Sequence, residues 1–98
     1  MEKMYRAEII SNQSVQDDIV ELLEAEIPGV QYTIIVDVQG RGGHSKKLGD
    51  STWPEMNFDL FTYVNEENAK KIKAIVAAVI NHFPKEGISL FFTECVDL

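Results

Sequence analysis

Two strand–helix–strand units follow one another along this chain, and that order limits its fold more than any other feature. Apolar and polar residues alternate as in strands over residues 4–11, 30–38, 56–64 and 88–96. Apolar residues at helical spacing lie between the two strands of each unit. Short connections and right-handed crossovers leave few topologies. We predict an α+β, ferredoxin-like βαββαβ fold, with a four-stranded antiparallel sheet and two helices on one face.

The two helices are recognised by their caps and their apolar stripes. Ser14 is the predicted N-cap of the first helix, which ends at Pro28 and Gly29. Asn65 or Asn68 is the predicted cap of the second. The stripe of the first helix consists of Val15, Ile19, Leu22, Leu23 and Ile27. The stripe predicted to be buried on the second consists of Ala69, Ile72, Ile75, Val76, Val79, Ile80 and Phe83.

The sheet face away from the helices is predicted to be apolar. Strand alternation directs Val36 and Phe58 toward the helices. The opposite face then carries the large apolar side chains Ile35, Phe61, Tyr63 and Phe91. A contiguous exposed apolar patch marks an interaction surface, whereas isolated surface aromatics are common in monomers. We expect self-association through this face.

The composition indicates one globular domain over residues 1–98 that does not bind nucleic acid. The apolar content of 45% is ordinary for a globular protein. A net charge of −7 argues against nucleic-acid binding, for which a basic patch is the usual footprint. Positive charge is concentrated at Arg41, Lys46 and Lys47. A locally basic loop on an acidic body suits a small anion.

Cysteine content and hydropathy predict a cytoplasmic protein. Cys95 is the only cysteine, so no intrachain disulfide can form. The N-terminal residues do not have the pattern of a signal peptide. No apolar stretch approaches the roughly 20 residues that span a bilayer.

Residues 39–54 form a long insertion between the two units. Gly40, Gly42 and Gly43 open it, and His44 and Trp53 lie further along. A loop this long is uncommon in a compact domain unless it has a function or is disordered. Glycines allow backbone N–H groups to approach a ligand closely. We therefore interpret the insertion as a recognition loop.

The element order and the motif V-D-V-Q-G-R-G-G at the end of the second strand resemble the nitrogen-regulatory P-II (PII) signalling superfamily. Members carry V-x-V-x-G-x-G at this place, followed by the mobile T-loop. The later loop sequence, GGHSKKLGDSTWPEMN, resembles a PII-like subgroup with an H-S…G-D…W-P signature. The resemblance in element order covers nearly the whole chain.

This resemblance implies a homotrimer whose sheets line a three-fold axis. It also implies a cleft between subunits that binds a small-molecule effector, commonly an adenine nucleotide, beside the T-loop base and the turn before the last strand. The ligand-binding residues carried over by position are Gly40, Gly42, Gly43, His44, Lys46, Lys85 and Gly87. The residues that would contact a partner protein, a membrane transporter or an enzyme, are Arg41, Lys47 and Trp53.

The chain departs from the PII pattern in two places. The family's phosphate-binding turn reads T-G-x-x-G-D-G-K, where this chain has H-F-P-K-E-G-I. Gly87 keeps one glycine, but Ile88 replaces the lysine, which counts against a triphosphate ligand. A monophosphate, a cyclic nucleotide or another small anion remains possible. The loop also lacks the tyrosine that accepts uridylylation.

Other functions stay open at this point. His44 could be a metal ligand in a trimer similar to the CutA cation-tolerance family. The cofactor is unknown at this point, and an adenine nucleotide and a divalent metal are both candidates. The simpler interpretations are that His44 is an exposed loop histidine and that Trp53 is a packing anchor. A third possibility is a structural interaction module with an empty cleft. The sequence has no nucleophile elbow, zinc-protease motif or complete phosphate loop, so we predict that the protein is not an enzyme.

Overall fold

A four-stranded antiparallel sheet with two helices forms the body of the protein. The computed structural model describes residues 2–42, 46–47 and 55–98. In chain order the elements are β1 Met4–Asn12, α1 Gln16–Glu26, β2 Thr33–Val38, β3 Gly40–Arg41, β4 Lys46–Lys47, β5 Asn57–Asn65, α2 Glu66–His82 and β6 Ser89–Glu94. The main sheet has the order β2-β5-β1-β6, and each neighbouring pair is antiparallel. The predicted ferredoxin-like fold is confirmed.

The core lies between this sheet and the two helices. Ile9 on the central strand β1 pairs with Leu60 of β5 and with Leu90 of β6. Ile9 and Leu60 are fully buried, as are Ile19 of α1 and Ile72 of α2. Alternation along β1 and β5 therefore buries one face of the sheet under the helices, as the sequence predicts.

Side-chain capping differs between the two helices. The Asn65 side-chain oxygen accepts a hydrogen bond from the Asn68 backbone N–H at 2.9 Å, so Asn65 is the N-cap of α2. The predicted cap of α1 is wrong. A 3₁₀ turn over Gln13–Val15 precedes α1, and Val15 stands at the N-cap position without a side-chain bond. The Ser14 hydroxyl instead donates to Glu86 at 2.7 Å.

Two predicted core positions are exposed. Val36 is 55% exposed because the β2–β5 register shifts between Ile35 and Val38. Asp37, within this irregularity, has a left-handed φ of 57°. Such a bulge interrupts the alternation on which the orientation of Val36 was predicted. Ile80 of α2 is 41% exposed, outside the buried stripe.

No helix within the described part of the chain is long and apolar enough to cross a membrane.

Candidate functional site

The base of the 39–54 insertion lies at one end of the sheet. Val38, the last residue of β2, pairs with Asn57, the first residue of β5. A Cβ atom added to Gly40 would lie 2.8 Å from Nδ2 of Asn57. A glycine at position 40 therefore lets the Asn57 side chain approach the backbone without displacement.

A short two-stranded pairing continues from this base. The backbone of Gly40 pairs with that of Lys47, and the backbone of Arg41 pairs with that of Lys46, as β3 and β4. Arg41 and Gly42 are exposed. Three residues of the predicted site, namely Gly43, His44 and Trp53, lie outside the described residues.

The turn before β6 carries the other predicted ligand-binding residues. The Glu86 N–H donates to the Phe83 carbonyl oxygen at 3.4 Å, and Gly87 has a left-handed φ of 62° that favours glycine. Lys85 and Gly87 are both exposed. Ile88 is partly buried and packs against the core. The residue that replaces the family's lysine therefore contributes to packing.

A polar cluster that the sequence interpretation missed joins the turn to the end of the insertion. The Asn12 side-chain amide donates to Glu86 at 2.7 Å and to Glu55 at 3.2 Å. The Ser14 hydroxyl also donates to the same Glu86 oxygen. Asn12 is only 5% exposed. These partners lie 43 and 74 positions from Asn12, so local sequence patterns do not reveal the cluster.

The predicted ligand-binding residues lie at the two opposite edges of the sheet. The insertion begins after β2, and the turn leads into β6; these are the two edge strands. Strands in a sheet are about 4.8 Å apart, so three spacings separate β2 from β6 by roughly 14 Å. Gly40 and Gly87 therefore lie beside different edge strands, with the Asn12 cluster between them at the same end of the sheet.

The face of the sheet away from the helices exposes large apolar side chains. Ile35, Tyr63 and Phe91 are 50%, 57% and 57% exposed. Phe61 packs edge-to-face against Tyr63, with a ring centroid distance of 6.4 Å. Phe61 and Phe91 both pair with Glu8 on the central strand and so share its face. The prediction of an exposed apolar face is confirmed at these positions, and we call this surface the open face.

Three charged side chains lie among the apolar residues of the open face. The Arg6 guanidinium is 3.4 Å from the Glu8 carboxylate. Asp59 lies close to Glu8, and its Oδ1 atom is buried without a hydrogen-bond partner among the described residues. Burial raises the pKa of Asp59, and the neighbouring Glu8 side chain raises it further, against the opposing effect of Arg6.

Within the described residues, no group of three or more histidine, cysteine or acidic side chains is arranged to hold a metal ion. The metal-binding alternative depends on His44 and stays a prediction.

No protein-family model matches this chain, and no curated protein sequence matches it either.

Solved structures with the same fold include PII-like proteins. CPII from Thiomonas intermedia K12, a nitrogen regulatory PII-like protein bound to ADP, AMP and bicarbonate, is 19% identical with a TM-score of 0.74. The match covers 98% of this chain and 94% of CPII. A protein from Thermus thermophilus, described as PII-like, is 22% identical with a TM-score of 0.68, covering 95% and 87% of the two chains.

A DUF3240 family protein from Shewanella baltica extends this likeness. It is 13% identical with a TM-score of 0.72, and the match covers 100% of this chain and 96% of the other. At these identities the comparisons establish the fold. The chain has the PII-like fold, and the resemblance inferred from its sequence is confirmed at that level.

Proposed function

We propose that this protein is a PII-like regulator that binds a small anionic effector in clefts between subunits and signals through its 39–54 loop. The observation that carries the proposal is the separation of the two ligand-binding regions. The loop base lies beside one edge strand of the sheet, and the turn with Lys85 and Gly87 lies beside the other. We place the effector where the loop base of one subunit meets the turn of its neighbour.

The open face supports a closed ring of subunits. A cluster of exposed aromatic and aliphatic side chains is typical of a surface covered by another molecule. Closed symmetry is the usual form of soluble homo-oligomers. A homotrimer with the open faces directed inward would cover Tyr63 and Phe91 and would bring unlike sheet edges together.

The effector that fits best is an adenine nucleotide with one or two phosphates. CPII, which has this fold, binds ADP, AMP and bicarbonate. In this chain the turn offers Lys85 as a cation, but it also carries the acidic Glu86, and Ile88 is used for packing. A turn with this composition favours a smaller negative charge than that of a triphosphate. Bicarbonate is a second small anion of suitable size.

Binding would act on a partner protein through the loop. A ligand shifts a protein between two states only when it binds them with different affinity. Because the loop base would form part of the cleft, the ligand would bind two loop states with different affinity. The loop residues Arg41, Lys47 and Trp53 would contact the partner. The partner would be a transporter or an enzyme in the cytoplasm, and the regulator itself would catalyse no reaction.

Calorimetric titration with AMP, ADP, ATP and bicarbonate tests this function. We expect AMP and ADP to bind more tightly than ATP. Lys85→Ala should weaken ADP binding about tenfold, equivalent to about 1.4 kcal/mol. Lys73→Ala, which removes an exposed lysine from α2 far from the turn, is the matched control and should bind normally. Absence of heat with every ligand at millimolar concentration would refute the proposal.

A further inference from the structure

The Asn12 side chain connects two regions that are far apart in sequence. Asn12 is the last residue of β1 and is almost completely buried. Its Nδ2 atom lies 2.7 Å from Oε2 of Glu86 and 3.2 Å from Oε2 of Glu55. A primary amide has two N–H donors, so one nitrogen can serve both carboxylates. Glu86 belongs to the turn before β6, and Glu55 directly follows the 39–54 loop.

We propose that Asn12 is a positioning residue that couples the turn before β6 to the end of the 39–54 loop. Its amide makes the position of the Glu55 carboxylate depend on that of the Glu86 carboxylate. The regulatory consequence rests on the function proposed above, because ligand at the turn would then alter the loop through this amide. The coupling itself is a property of the ligand-free chain.

Backbone hydrogen bonds fix the position of Asn12, whereas the proposed coupling depends on its side chain. The Asn12 N–H donates to the Glu86 carbonyl oxygen at 3.4 Å. The next residue, Gln13, donates its N–H to the Met56 carbonyl oxygen at 3.0 Å. Neither bond involves a carboxylate. Truncating the side chain of Asn12 therefore removes the amide that bonds to both acids, while these backbone contacts remain.

Energetics favour a correlated response of the two carboxylates. Hydrogen bonds to ionised acceptors are stronger than neutral ones, and a buried donor that loses its acceptor is costly. A phosphate at the turn would bring negative charge near Glu86 and disfavour the present position of its carboxylate. The hydrogen bond from the Asn12 amide to Glu55 would then become stronger, and the end of the loop would shift.

A double-mutant cycle in the ligand-free protein tests the coupling. The readouts are the backbone amide resonance of Glu55 by NMR and the emission of Trp53, the only tryptophan, two residues away. Glu86→Ala should shift both signals when Asn12 is present. In an Asn12→Ala background the same substitution should produce less than about one third of that shift, in line with the coupling expected for residues of one network. Equal shifts in both backgrounds would overturn the proposal.

Two further measurements separate coupling from general stability. Ser14→Ala removes another donor to Glu86 and leaves the Asn12 bond to Glu55 in place. The response of Glu55 to Glu86→Ala should therefore persist in that background. If Asn12→Ala does not fold, the side-chain amide resonances of Asn12 itself decide the question. They should move in Glu55→Ala and also in Glu86→Ala, and movement in only one would contradict a shared amide.

Titration with AMP or ADP then distinguishes this proposal from the proposed function. Wild-type protein should bind with a change in Trp53 emission. Asn12→Ala should bind with an affinity within about threefold of wild type, but most of the emission change should be lost. If the double-mutant cycle shows coupling but no nucleotide binds, only the nucleotide function is refuted. If nucleotide binds but the effects of the Asn12 and Glu86 substitutions simply add, only the role of Asn12 is refuted.

Discussion

The Arg6 guanidinium carbon lies 4.6 Å from the centroid of the Phe61 ring on the open face. The same guanidinium is 3.4 Å from the Glu8 carboxylate. Arginine is weakly hydrated and stacks on aromatic rings, so it enters interfaces more readily than lysine does. The positive charge of Arg6 is therefore compatible with a face that another subunit covers.

Phe91→Lys should prevent assembly through the open face. Phe91 is a large, more than half exposed side chain on this face. A lysine there removes apolar contact area and would bring like charges together in a symmetric ring. We expect sedimentation equilibrium to change from the proposed trimer to mostly monomer. Ile80→Lys, which alters an exposed apolar residue on α2, is the matched control and should remain trimeric. A trimeric Phe91→Lys variant would contradict assembly through the open face.

Gly87→Ala should destabilise the turn before β6. A left-handed φ costs a residue with a Cβ atom about 1–2 kcal/mol. Open space surrounds the position where that Cβ would be, so the expected cost comes from the backbone and not from a clash. Urea unfolding should show a lower midpoint with an unchanged slope. Gly87→Asn is the control, because asparagine tolerates this conformation, and its midpoint should lie between the other two. Equal midpoints for alanine and asparagine would contradict the backbone explanation.

Asn65→Ala should reduce the free energy of unfolding by about 1 kcal/mol, the usual contribution of an N-cap. The substitution removes the acceptor of the Asn68 N–H at the first turn of α2. Asn81→Ala changes an exposed asparagine in the last turn of the same helix and serves as the control. If both variants lose the same stability in urea, the loss does not arise from the cap.

Local patterns predicted most of the fold but not the details at its irregular points. The sequence offers Asn65 or Asn68 as the cap of α2 because an acceptor before a helix has a local signature, and the structure selects Asn65. Val36 was assigned to the wrong face because the bulge at Asp37 interrupts strand alternation, and nothing in the pattern requires a left-handed aspartate there. Ser14 has the sequence context of a cap, but it bonds to Glu86, a residue 72 positions away.

The candidate site was predictable only in part for a similar reason. Glycines at the loop base and at position 87 could be identified from composition and from the family motif. The amide of Asn12 between Glu55 and Glu86 depends on three segments meeting at one end of the sheet. Such a contact follows from topology and register, which a single sequence specifies only through the whole fold.

The last prediction concerns the pH dependence of stability through Asp59. Burial and the neighbouring Glu8 raise the pKa of Asp59, while Arg6 lowers it to a smaller extent. The native state therefore binds more protons than the unfolded chain between the ordinary aspartate pKa of about 3.9 and the raised value. The stability contributed by the protonated carboxyl is complete below that ordinary pKa and is lost as the pH rises through the raised one.

Asp59→Asn replaces this carboxyl with a side chain that stays neutral at every pH. We expect the variant to be more stable than wild type at neutral pH, and the difference to shrink as the pH falls toward the ordinary aspartate pKa. Urea unfolding at fixed protein concentration across this range measures the difference. Asp97→Asn, at an exposed carboxyl near the C-terminus, is the control and should follow wild type. A variant less stable than wild type at neutral pH would mean that the ionised Asp59 carboxylate stabilises the fold, contrary to the effect expected from its burial.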